Sequence, residues 1–225
     1  MRSTSRSTLA ACVLVLLVLA PPVVSGELRF VDDIKSFEKQ DRSSPPPEGG
    51  TVFVGSSTFT LWGKDLEKTF AKYKAINRGF GGSTLPDINN YVDRIVSKYK
   101  PKRVVLYAGT NDIAELKHTG EQVCDDLKTF VARARAKQPQ LDIYFVSMSM
   151  APSRVQWEDR YNKGNALVRA YCSQDKHLHY IDIVPVMRDK QGQLRKEFFG
   201  MDQLHMNPEG YKVWVPVLEK ALANQ

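Results

Sequence analysis

Thr51-Val52-Phe53-Val54-Gly55-Ser56-Ser57 is the stretch from which the rest of the chain can be read. Its β-branched and aromatic residues spell a short buried strand. Gly55 then permits a sharp turn, and Phe59-Thr60-Leu61-Trp62 opens a helical pattern. A serine at a strand-to-helix turn holds its hydroxyl clear of the sheet, with backbone amides facing the same space. Ser57 therefore suits a nucleophile. It suits a helix cap equally well, so the decision falls to the rest of the chain.

Downstream of this stretch the pattern alternates. Strands are expected at 51–55, 74–78, 102–108, 141–147 and 178–183, and helices at 59–72, 86–99, 119–137, 157–173 and 208–222. Pro86 and Pro208 fit first-turn positions. Strand and helix units joined by short links imply an α/β fold, a parallel sheet between two helical layers. Upstream, residues 27–50 hold a short amphipathic helix (27–41, with Phe30, Ile34 and Phe37 at helical spacing) and the breaker-rich linker Ser43 to Gly50. Residues 51–225 then form one domain, without internal repeats or low-complexity tracts.

The first 26 residues have their own character. Arg2 and Arg6 precede an apolar run of about 11 residues from Ala10 to Ala20, within the ~7–15 of a signal-peptide core. Val24, Ser25 and Gly26 offer a cleavage region. The run is shorter than the ~18 residues of a spanning helix, so export is expected, with no membrane span left after cleavage. Cys12 lies inside the run and not behind it, which does not match a lipid-attachment site. Loss of this segment takes the formal charge from +7 to +5. The basic residues are scattered and no basic run is interleaved with aromatics, so nucleic acid is not an expected partner.

Two cysteines remain, Cys124 near the start of one expected helix and Cys172 near the end of the next. Both helices should run in the same direction. Ten residues of helical rise, roughly 15 Å, would separate them, against the ~7 Å that a disulfide tolerates between α-carbons. Two free, mostly buried thiols are expected.

In parallel α/β sheets ligands gather at the carboxyl ends of the strands. Ser57 follows the first strand, and Asn77-Arg78-Gly79-Phe80-Gly81-Gly82 the second, bringing backbone amides close because no side chain intervenes. Gly109-Thr110-Asn111-Asp112 follows the third, where Asn111 can present an amide donor and Asp112 can steady the loop. Ser147 to Pro152 follows the fourth, small or apolar enough to wall a pocket, with Met148 and Met150 as core filling. After the fifth comes Asp202-Gln203-Leu204-His205. A carboxylate three residues before an imidazole can fix its tautomer and leave the other ring nitrogen to take a proton from Ser57. His118, His177 and His179 are read as surface or strand residues. A nucleophile, oxyanion donors and an acid–imidazole pair, all at strand ends, make the set for acyl transfer.

Four blocks carry a family resemblance: Gly55-Ser56-Ser57, Asn77-x-Gly79-x-Gly81-Gly82, Gly109-Thr110-Asn111-Asp112 and Asp202-x-x-His205. In this order the chain resembles the SGNH hydrolases, or GDSL-type esterases and lipases, most closely the lysophospholipase L1-like and platelet-activating-factor acetylhydrolase-like branch. The resemblance implies a flavodoxin-like three-layer fold with strand order 2-1-3-4-5. It also implies Ser57 as nucleophile, His205 as base, Asp202 as its orienting partner, and an oxyanion hole from the Ser57 and Gly82 amides and the Asn111 side chain. Ser56 stands where the family usually has aspartate; that aspartate is not the triad acid.

The expected function is ester hydrolysis through an acyl-enzyme, with no metal or other cofactor. The substrate is a small-molecule, lipid or carbohydrate ester: a short acyl or acetyl group on carbohydrate, or a lysophospholipid-like molecule. Two rivals fit the same residues: a carbohydrate- or lipid-binding module that has lost catalysis, and an interaction scaffold using the basic face. Oligomeric state is not readable from the sequence.

Overall fold

A computed structural model describes residues 28–223; the expected signal segment lies outside them. Five parallel strands, β1 (Thr51–Gly55), β2 (Ala75–Gly79), β3 (Arg103–Tyr107), β4 (Asp142–Val146) and β5 (Leu178–Ile181), form one sheet in the order 2-1-3-4-5. β1 pairs with β2 and β3, with Gly55 opposite Gly79 on one side and Tyr107 on the other. The strand order reverses beside β1, so the turn after Gly55 opens at the crevice where such sheets bind ligands.

The alternation of each strand sorts its residues into two cores. Val52, Val54, Val104, Leu106, Ile143 and Phe145 face one side, against helices α1 (Val31–Ser43), α3 (Leu85–Ile95), α5 (Gly120–Arg135) and α6 (Glu158–Cys172). Phe53, Val105, Tyr107, Tyr144 and Val146 face the other, against α2 (Ser57–Thr69) and α7 (Pro208–Ala223). A short helix, α4 (Thr110–Ala114), follows β3. Each fully buried large apolar side chain contributes about 1.5–3 kcal/mol, so this two-sided burial holds the strand ends in place.

The departures from the expected elements have local causes. α2 starts two residues early because the Ser56 carbonyl accepts the amides of Phe59 and Thr60. It kinks at Gly63 (φ 59°), whose carbonyl accepts from the Asn77 amide. α3 stops at Ile95 and gives way to a 3-10 turn at Ser97–Tyr99, closed by Lys100 in the left-handed region. β5 ends two residues early, where the Asp182 carboxylate takes the Val184 amide at 3.1 Å and turns the chain.

The N-terminal helix packs on the domain, slightly later in sequence than its apolar spacing suggested. Ile34 is fully buried. Asp41 reaches Arg78 at 2.5 Å, and that buried guanidinium lies over the rings of Phe37 and Tyr99. Cys124 and Cys172 are free and buried, and burial pushes the Cys172 thiol up to about 12. Their expected separation needs correction, however. Gly120 and Gly164 pack backbone to backbone, which offsets α6 against α5. The axial offset between the cysteines is then about four residues, roughly 6 Å, and not fifteen.

Candidate active site

The strand-to-helix turn after β1 is shaped by close approach. A Cβ on Gly55 would stand 2.4 Å from the Tyr107 carbonyl oxygen, and one on Gly79 2.7 Å from the Phe59 Cβ. Only glycine lets β1 come this near to β3, and β2 to the start of α2. Asn77 fastens the arrangement: its amide donates to the Phe59 carbonyl at 2.7 Å, and its oxygen accepts the Gly79 amide at 2.9 Å. Ser56 occupies the cap position without a side-chain capping bond. Ser57 lies one residue inside the helix, half-buried, and its hydroxyl points to the cavity.

Asp202 and His205 sit on a tight turn between Phe199 and Met206, which bridge antiparallel. Within it the Gly200 amide donates to the His205 carbonyl at 2.8 Å, and Gln203 takes a left-handed conformation (φ 55°). One Asp202 oxygen accepts the Leu204 and His205 amides, each at 3.0 Å. The other accepts the His205 Nδ1 proton at 2.6 Å. The Leu204 amide first, then the imidazole and the His205 amide, hold this carboxyl down at about 2. With Nδ1 protonated, Nε2 is an acceptor, and it lies 2.9 Å from Ser57 Oγ. Serine, imidazole and carboxylate thus form one continuous line.

The glycine loop and the loop after β3 close the other side. Phe80 and Ser83 both donate to the Gly55 carbonyl, by amide at 2.9 Å and hydroxyl at 3.3 Å. Gly81 passes within van der Waals reach of the Ser57 Cβ, at 3.9 Å from its own would-be Cβ. Gly82 is exposed, with φ 79°. Asn111, buried, donates one N–H to the Ser83 carbonyl at 3.0 Å and lines the cavity, so a second N–H remains for a ligand. Asp112 is fully buried and ties the two loops together, accepting the Leu85 amide at 2.8 Å and the Gly109 amide at 3.1 Å. Burial pushes its carboxyl up to about 6, against the pull of the Leu85 amide and its own.

The cavity over Ser57 measures about 40 Å³. Met150, Ala151, Met187, Phe199 and Trp214 wall it. It is a small space, suited to a small group beside the serine.

Of the remaining imidazoles, His179 lies on β5 as a strand residue, also near Asp142 at 3.4 Å. His118 is half-buried beside Asp126 at 3.4 Å, and His177 beside Asp142 at 2.9 Å. They are acid-paired, not simple surface residues, but none joins the line at Ser57. Among the described residues, Asp112, His118 and Asp126 each bring one potential metal-ligating atom within 4.8 Å of the others. Both Asp112 oxygens already accept backbone amides, which gives Asp112 a loop-fastening role.

The structure brings Ser57, Asp202 and His205 into one hydrogen-bonded line and puts Gly82 and Asn111 on the loops after β2 and β3, the strands that flank β1. The residues that the sequence reading missed are the cavity walls from distant segments, Tyr107, Met187, Phe199 and Trp214, together with Arg154. Arg154 stands two positions beyond Pro152, the end of the segment expected to wall the pocket. Its signal is that nearness, a cation in the turn directly after a strand-end segment. The walls carry no comparable signal, since apolar residues in loops and on a helix look like core.

A 2-1-3-4-5 parallel sheet with this site at its carboxyl edge is the arrangement of a serine ester hydrolase. The chain belongs to the GDSL-like lipase/acylhydrolase family, whose model matches residues 48–213. Among solved structures it is similar to a candidate platelet activating factor protein of Streptococcus pneumonia (20% identity, 85% of this chain and 92% of that one, TM-score 0.73). A GDSL-like lipase of Bacteroides thetaiotaomicron gives 22% identity, 84% and 97% coverage and a TM-score of 0.71. A family 3 carbohydrate esterase of Clostridium thermocellum gives 15%, 77% and 94%, and 0.59. At these identities the likeness is one of fold. No curated protein sequence matches the chain.

Proposed function

We propose that the protein hydrolyses carboxylic esters of short acyl groups, acetyl foremost, through an acyl-enzyme on Ser57. The observation that carries this reading is the 2.9 Å contact between Ser57 Oγ and His205 Nε2, backed by Asp202 at 2.6 Å. Ser57 Oγ attacks the ester carbonyl carbon while Nε2 takes its proton. Asp202, ionised, stabilises the imidazolium that results. The carbonyl oxygen, now an anion, rests on the Ser57 and Gly82 amides and the free Asn111 N–H. Each such donor lowers the barrier by about 3 kcal/mol. The imidazolium protonates the departing alcohol oxygen as the C–O bond breaks, and a water activated by Nε2 then releases the acid.

The small cavity supports a short acyl chain. The alcohol side faces solvent and accommodates a carbohydrate or a lysophospholipid-like group, which accords with a carbohydrate esterase among the structural neighbours. Among the described residues no helix is long and apolar enough to cross a membrane, and residues 1–26 serve as an export signal in this reading. N-terminal sequencing of the protein released by a secreting host should begin near residue 27.

Hydrolysis of p-nitrophenyl esters from acetyl to decanoyl tests the proposal, alongside rapid labelling by a fluorophosphonate. Fast labelling of the parent and none of Ser57→Ala is the expected result. A parent that neither labels nor turns over any ester would return the chain to a binding role.

A further inference from the structure

The 3-10 turn after β4 (Pro152–Trp157) places Arg154 against the wall of the cavity, with only 13% of its side chain exposed. Its Nη1 donates to Asn111 Oδ1 at 2.9 Å and its Nη2 to Glu115 at 3.0 Å. Asn111 is therefore gripped at both ends, since its Nδ2 already donates to the Ser83 carbonyl. A primary amide has nearly the same shape either way round but opposite hydrogen-bonding faces. Turned over, its oxygen would meet the Ser83 carbonyl and its NH₂ would meet the guanidinium. Both contacts would become repulsive.

We propose that Arg154 is a positioning residue for ester hydrolysis: it holds the Asn111 amide so that the second N–H faces the developing oxyanion, and its charge strengthens that donor. The proposal rests on the ester-hydrolase reading of Ser57. The charge-assisted bond to Oδ1 draws electron density away from the amide nitrogen. Because the orientation is set before substrate arrives, no reorganisation is needed as negative charge appears. Arg154 also lines the cavity, so the competing role is direct capture of an anionic substrate. Its fork is already engaged by Asn111 and Glu115, which favours positioning. Glu115, 64% exposed, steadies the other arm without closing the cavity.

The two roles separate in kinetics. Arg154→Met, Arg154→Lys, Asn111→Ala and the Arg154→Met/Asn111→Ala double variant are compared on p-nitrophenyl acetate. The expected result for Arg154→Met is a kcat lower by about 10–100-fold with KM within about threefold. Its affinity for a phenylboronic acid, which forms a tetrahedral adduct with the serine, should fall by a similar factor. In the Asn111→Ala background the same substitution should change kcat by less than about twofold, because the group it positions is gone. Arg154→Lys should recover some of the loss. A raised KM with unchanged kcat, or losses that multiply in the double variant, would overturn the assignment. Should Arg154→Met not fold, Arg154→Lys in both backgrounds carries the same comparison, since lysine lacks the fork that spans Asn111 and Glu115. Full activity in Ser57→Ala would instead remove the underlying reading; an inactive Ser57→Ala with multiplying losses removes only the role of Arg154.

Discussion

Ser57 Oγ and His205 Nε2 lie 2.9 Å apart although 148 positions separate them in sequence. Each comes from a different kind of element, a helix start and a bridged turn, and the sheet brings the two together. In the proposed mechanism the three groups act as one unit, so their substitutions should not add. Ser57→Ala, His205→Ala and the double variant should each lower kcat by a similar factor, about 10⁴ or more, while Asp202→Asn costs about 10⁴. Steady-state kinetics on a short ester, with circular dichroism to confirm the fold, checks this. Independent losses in the double variant would argue against a shared step.

The cavity size gives a second expectation. Met187 is 1% exposed and walls the cavity over Ser57, the proposed acyl space. Met187→Ala should raise the kcat/KM for butyryl relative to acetyl esters by about tenfold or more, one methylene being worth ~1–3 kcal/mol in an apolar pocket. The same change should cost about 2–5 kcal/mol of stability through the void it leaves. An unchanged chain-length profile would place the acyl group elsewhere.

Two glycines should fail in different ways. A Cβ at Gly55 would stand 2.4 Å from the Tyr107 carbonyl, so Gly55→Ala must push β1 and β3 apart at the centre of the sheet. Its thermal midpoint should fall by about 10 °C or more, at ~4–8 °C per kcal/mol for smaller domains and somewhat less here. At Gly82 nothing lies within 4 Å, but φ is +79°. Gly82→Ala costs only about 1–2 kcal/mol of local strain, yet shifts an amide proposed to meet the oxyanion. Its activity should fall far more than its melting temperature, which differential scanning fluorimetry beside kinetics can read.

Asp112 couples pH to stability. Burial, opposed by the Leu85 amide, by the residue's own amide and by His118 and reinforced by Asp126, lifts its carboxyl from the ordinary 3.8 to about 6. The folded state therefore binds this proton more tightly than the unfolded chain does. Its contribution is fully favourable below pH 3.8 and is lost as pH rises through about 6, by about 3 kcal/mol at ~1.4 kcal/mol per decade. Urea titrations between pH 4 and 7 should show this decline in the parent. Asp112→Asn should be less stable overall, since its NH₂ faces an amide donor, but should lose the slope.

The strands were legible because nearly every one is buried on both faces and therefore reads as a β-branched or aromatic run between breakers. Their order followed from the motif blocks and not from the runs themselves. The site was legible where chemistry sits directly at a strand end, as with Ser57 and Asn111, or where acid and imidazole are three residues apart. It was not legible where a residue acts through space. Arg154 reaches Asn111 across 43 positions, and Trp214 reaches the cavity over Ser57 from the middle of a helix whose own pattern only says that this face is covered. The spacing of Cys124 and Cys172 misled for a related reason. Helix periodicity gives length along an axis, whereas the offset between α5 and α6 is decided by the contact of Gly120 with Gly164.

The turn bridged by Phe199 and Met206 carries both the carboxylate and the imidazole, so the two travel as a single cassette. Lifting that cassette would widen the gap to the serine and break the bond from the Ser153 amide to the Gln203 carbonyl, but leave the acid–imidazole bond untouched. A displacement of this turn alone should therefore silence the enzyme while the sheet stays folded, and its return should restore activity without refolding.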